Sequence, residues 1–183
     1  MRLSNAALSV ALVLASASLA AHAAPSLLRF SGAIGVDPLS AAGGVDTLNV
    51  VRGVNPSGRA WILRKLKASV DADGKIEARG AGLLFTSGDV IGTRGGIANV
   101  VATLTCGPAN ATARRFTSAP APLDLAGDFR ISGVLSEDGI NPAVLPEVCD
   151  NPALLIRSIN TATGMAGGWF AVGILGVGVG DGD

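Results

Sequence analysis

The sequence predicts an all-β, single-domain protein: an antiparallel β-sandwich or a small β-barrel with one disulfide. Three observations carry this. Short runs rich in Val, Ile, Leu and Phe are separated by clusters of Gly, Pro, Asn and Asp. No segment sustains a helical hydrophobic period. Glycine fills 25 of 183 positions, which suits tight turns and bulges better than helices.

The chain opens on a leader. Arg2 supplies a positive start, "ALSVALVLASASLAA" an apolar stretch, and "AHA" places Ala21 and Ala23 where a signal peptidase reads small residues. Cleavage between Ala23 and Ala24 is expected, so residues 1–23 leave as a secretory signal and 24–183 form an exported β-domain, periplasmic or extracellular. That leaves about 160 residues, enough for one core. The 14 basic and 14 acidic residues balance, and losing Arg2 leaves one net negative charge. Such a balance speaks against nucleic-acid binding, which needs a basic excess. His22, the one histidine, also leaves, so neither a histidine-based triad nor a histidine-ligated zinc is expected. No motif points to a cofactor or a metal.

Candidate strands run 28–36, 47–54, 60–70, 75–86, 97–106, 113–118, 128–135, 153–159 and 168–177, with helical turns conceivable at 143–149 or 151–157. Between the third and fourth, "VDADGKIE" (70–77) resembles the start of a calcium loop. With Gly74 at the sixth place of an EF-hand, however, Gly80 falls where the last ligand, a glutamate, belongs. A hairpin fits better. Asp71 and Gly74 suit a type I turn followed by a left-handed glycine. That turn sets Val70 opposite Ile76, Ser69 opposite Glu77, Ala68 opposite Ala78, Lys67 opposite Arg79 and Ile62 opposite Leu84. One face then carries Ile62, Leu66, Val70, Ile76 and Leu84, interrupted by Arg64, and the other Lys65, Lys67, Lys75, Glu77 and Arg79. This basic tip reads first as a solvated face that discourages aggregation, and second as a contact for an anionic glycan or lipid headgroup.

Cys106 and Cys149 permit one intramolecular bridge, the default in an exported chain. It is expected to stabilise by roughly 3–4 kcal/mol. Three ordered matches ("RFSGAI" 29–34 with "RISGVL" 130–135, "VVRGVN" 50–55 with "LIRSIN" 155–160, "WIL" at 61 with "WFA" at 169) fit two degenerate half-repeats or coincidence among short apolar runs. The scarcity of aromatics and the closing "GVGVGDGD" do not suit an outer-membrane barrel, and no stretch suits a membrane helix.

The sharpest candidate binding residues are Arg52, Asn55 and Trp61 in one half, and Arg157, Asn160 and Trp169 in the other. Arg52 would share a strand face with Val50 and Val54, and Arg157 with Leu155 and Ile159. An arginine on an apolar face needs a partner or a wet pocket. The competing assignment ties each arginine to a turn and buries each tryptophan in the core. Asp37, Asp46, Asp89, Asp124, Asp128, Glu137 and Asp138 are the remaining acid/base groups, most placed to serve turns. "GTRGG" (92–96) lacks the lysine and helix of a phosphate loop, and "NAT" (110–112) is a glycosylation acceptor only in a competent host. The expectation is a non-catalytic envelope or extracellular module that binds a protein, glycan or small molecule. A small-molecule carrier with a barrel cavity is the alternative, and a carboxylate-dependent hydrolase ranks last.

Overall fold

The computed structural model describes residues 26–42, 45–137, 139–160 and 162–176. The leader, the Ala23–Ala24 cleavage site, Asp138 and residues 177–183 lie outside these residues. Every described element is a strand: β1 (Ser26–Gly35), β2 (Leu39–Ala42), β3 (Val45–Leu48), β4 (Trp61–Asp71), β5 (Lys75–Phe85), β6 (Asn99–Cys106), β7 (Arg114–Thr117), β8 (Ala121–Pro122), β9 (Phe129–Val134), β10 (Ala153–Ile159) and β11 (Ala166–Leu175). No helix among them is long and apolar enough to cross a membrane. Residues 151–157 fall in the β10 region, so no helical turn forms there.

Nine strands make one antiparallel sheet in the order β7-β6-β10-β11-β1-β4-β5-β9, with β8 also on β6, while β2 and β3 form a separate ribbon. The sheet curls strongly into a half-barrel, with bulges shifting the register within the β1–β11 and β10–β11 pairs. Its two ends are stitched together. Thr117 and Ser136 exchange backbone hydrogen bonds of 2.7 and 2.9 Å, and Leu123 bridges Phe129. The concave interior is packed: Leu66, Ile76, Leu104, Phe116, Ile131 and Phe170 are each less than 2 % or about 2 % exposed.

The hairpin forms as its turn dictates. Gly74 has φ +81° and donates to Asp71 O at 3.0 Å, and the pairs Val70↔Ile76, Ser69↔Glu77, Lys67↔Arg79 and Ile62↔Leu84 all occur. The expected apolar face does not persist along the whole ribbon. Leu66 and Val70 point inward, but further along Ile62 is 43 % exposed while Leu63 is 2 % exposed. The inversion sits where Arg64 meets Gly82, which takes φ +72° and donates to Asp128 Oδ1 at 2.9 Å instead of extending the ladder. Register survives while the faces exchange.

The expected strand 47–54 is also corrected. Only its start belongs to β3; Arg52 and Gly53 both have positive φ (51° and 72°), and Val51 and Val54 close a tight turn around them. Two successive left-handed residues make a hairpin-type turn, and glycine at the second place permits it. Residues 49–57 thereby become a strap. It touches β11 through Trp169 and β7 through Arg115, passing over β10 and β6. Burial on both faces follows: Val100–Cys106 and Ala153–Ile156 are buried without alternation. Of the two readings of the matched segments, the structure favours coincidence over half-repeats. Segment 50–55 is a turn while 155–160 lies largely in β10, and β1 is interior to the sheet while β9 ends it.

Gly80 illustrates how tightly β5 and β9 meet. It pairs with Phe129, and a Cβ there would run into the Phe129 ring at Cε1 and Cζ. Gly80→Ala is expected to displace that ring and cost about 1–3 kcal/mol, read from urea unfolding. An unchanged midpoint would show that the ring moves freely.

Candidate functional site

The six residues singled out from sequence do not converge on one cavity. Trp61 is core: its ring packs on Phe85 (centroids 3.9 Å apart) and Phe170 (4.3 Å). Trp169 is also buried, but its indole N–H donates to Asn49 O of the strap at 3.0 Å. Asn55 is exposed and contributes its carbonyl to Trp169 N at 3.1 Å. Asn160 shapes the β10–β11 turn, its Oδ1 accepting from Ala162 N (3.0 Å) and Thr163 N (3.2 Å). Arg52 sits in the strap's turn rather than on a strand face and donates to Asn151 O at 3.0 Å.

Arg157 is different. It pairs across to Val101 on β6 and to Trp169 on β11. Its Nε donates to Gly167 O (2.9 Å), its Nη2 to Ala166 O (2.8 Å) and its Nη1 to Thr103 Oγ1 (3.2 Å). No carboxylate among the described residues pairs with it. Burial first, and then the charge of Arg115, push its pKa down from the ordinary arginine value to about 10. The folded state therefore carries an electrostatic penalty below about pH 10, relieved only as pH climbs toward the ordinary arginine value. A bound anion would relieve it at neutral pH.

Arg115, absent from the candidates drawn from sequence, completes this cationic pair. Its Nη2 donates to Arg52 O (2.8 Å) and Ala111 O (3.2 Å), which ties it to the strap. Both arginines line an external groove of about 770 Å³ beside Thr117, Ser136, Ile159 and Met165. "RR" at 114–115 was the available signal, but only the pairing of β6 with both β7 and β10 brings Arg115 toward Arg157.

A second cationic array covers the outer face of β1, β4, β5 and β9. Cross-strand register sets Ser31, Lys67, Arg79 and Arg130 in one row and Arg29, Ser69, Glu77 and Ser132 in the next. All of these except Ser132 line a shallow groove of about 660 Å³. Glu77 is shared between Arg130 (3.5 Å) and Ser132. Among the described residues Arg29, Lys67 and Arg79 have no carboxylate partner. Like charges set directly opposite one another are destabilising. The basic tip foreseen on the hairpin is thus the middle of a broader array, extended by Arg29 and Arg130.

The carboxylates serve local structure. Asp124 Oδ1 accepts from Asp128 N (2.8 Å), Asp37 Oδ1 from Leu39 N (3.3 Å), and Glu137 grips Arg114 with both oxygens (3.0 and 2.8 Å). Asp73 pairs with Lys75 at 3.1 Å, and hydrogen bonds from Lys75 lower its pKa. In "GTRGG", Arg94 turns back onto Ile97 O. Asn110 Oδ1 accepts from Thr112 N and Oγ1, a local turn. No family model, curated protein or solved structure matches the chain.

Proposed function

We propose that the chain is an exported, non-catalytic interaction module that recognises an anionic polysaccharide through the outer face of β1, β4, β5 and β9. One observation carries this reading: Lys67, Arg79 and Arg130 stand in register on three neighbouring strands. The fold tolerates this repulsion on an exposed face where neutral side chains would do, and a polyanion laid across the strands would turn it into attraction. Ser31, Ser69 and Ser132 add hydroxyls between the charges. Among the described residues no large exposed apolar side chain lines this groove, which favours a sugar polymer over a bilayer. The packed interior and the carboxylates engaged in turns leave the barrel-cavity carrier and the hydrolase with less support.

The test is calorimetric titration with heparin, a sulfated polysaccharide, beside neutral dextran. Heparin is expected to bind, more weakly as salt rises, and dextran not to bind. Arg79→Glu should weaken heparin binding by roughly tenfold or more. The same change places a carboxylate between Lys67 and Arg130, so stability should hold or rise by up to about 1 kcal/mol. Unchanged heparin affinity in a folded Arg79→Glu protein would exclude this face as the contact.

A further inference from the structure

The groove floored by Arg115 and Arg157 lies around the barrel from the basic face, on the β6, β7 and β10 side. We infer that it is a second binding site, for a small amphiphilic carboxylate: one anionic head on an apolar body.

The floor supplies the charge. Arg157 uses three of a guanidinium's five N–H donors on Gly167 O, Ala166 O and Thr103 Oγ1, leaving two donors and a whole positive charge unanswered among the described residues. Arg115 Nε is buried and has no hydrogen-bond acceptor. Two arginines close enough to repel, one with a donor orphaned, form an arrangement that a planar carboxylate completes. Among the described lining residues the anion is Glu137, which holds Arg114 through both oxygens. Thr103 and Thr117, linked Oγ1 to Oγ1 at 3.0 Å, extend the polar floor.

The rim supplies the rest. Val134, Ile140 and Met165 are 41, 84 and 69 % exposed and line the same groove, beside Pro120 and Pro142. Apolar side chains held in water around a cationic floor match a ligand whose tail lies on the rim while its head reaches the arginines. A sugar phosphate would leave the rim unused. The volume of about 770 Å³ falls in the range of small-ligand sites.

The probe is decanoate, titrated calorimetrically into the purified protein, with decanol and acetate separating tail from head. Decanoate is expected to bind, and each control to bind at least roughly tenfold more weakly. Arg157→Gln tests the floor but orphans the carbonyls of Ala166 and Gly167, so a loss of binding there would not separate contact from misfolding. Arg115→Gln and Met165→Glu are therefore the deciding variants. The first removes one charge; the second sets an internal carboxylate at the rim. Each is expected to lower decanoate affinity roughly tenfold while Arg79→Glu leaves it unchanged. Absence of decanoate binding up to about 1 mM, equal binding of decanol, or undiminished affinity in both deciding variants overturns the assignment.

Discussion

Replacing Cys106 and Cys149 together by alanine is expected to lower the unfolding free energy by about 4 kcal/mol and the melting temperature by about 10 °C. The bond joins residues 43 apart whose Cα atoms lie 4.8 Å apart. Its position matters as much as its loop length. Cys106 ends β6, and Cys149 lies just before β10, the strand that pairs with β6 from Thr105↔Ala153 onward. Between them the chain leaves β6, forms β7 and β8, crosses to β9 at the far end of the sheet, and returns. The bridge therefore clamps the base of the excursion that closes the half-barrel. Without it, bringing β9 onto β5 costs more chain entropy. Both cysteines are buried, at 3 and 8 % exposure, so the alanines also leave small voids. Hydrogen exchange should show the loss unevenly, with β5–β9 amides less protected and β4–β5 amides nearly unchanged relative to global stability. A shift under about 1 kcal/mol, or free thiols in the intact mass of the purified protein, would remove the clamp from the account.

Local chemistry was legible in the sequence and long-range chemistry was not. The Asp71–Gly74 turn sets every pair of the β4–β5 hairpin because two residues with strong backbone preferences determine the register from inside the ribbon. The inversion at Arg64 and Gly82 was hidden, since its cause is Asp128, on the approach to β9, accepting from Gly82 N. The apolar run around Val51 looked like a strand because Arg at a left-handed turn position is uncommon, and Gly53 alone carried the warning. The sites follow the same division. Lys67 opposite Arg79 could be read from the hairpin, but Arg130 joins their row only through β9, more than fifty residues along the chain. Arg157 stood out as a charge in an apolar strand. Its partner Arg115 did not, because β7 and β10 are far apart in the chain and meet only across β6.

Trp61→Ala is expected to destabilise the fold by about 3–5 kcal/mol, whereas Trp169→Phe should cost only about 1 kcal/mol. Both indoles are nearly inaccessible, at 3 and 2 %, so exposure does not distinguish them. Their contacts do. Trp61 starts β4, donates its backbone N–H to Val36 O at 3.0 Å, and places its ring against Phe85 of β5 and Phe170 of β11. Truncation leaves a void where three strands meet, and neighbours held in ladders cannot collapse into it. Phenylalanine at 169 keeps most of the buried ring and loses the hydrogen bond to Asn49 O. That leaves one strap carbonyl without its donor, a cost of the order of a single hydrogen bond. The strap retains two backbone bonds to the same residue, Asn55 O with Trp169 N and Ser57 N with Trp169 O. Urea unfolding of both variants, with decanoate and heparin titrations alongside, tests the assignment. Trp61→Ala should shift the midpoint strongly and leave both affinities nearly unchanged under conditions where it remains folded. A variant that kept its stability and lost ligand binding would return Trp61 to the role of a contact residue, and the core would then have to be anchored elsewhere.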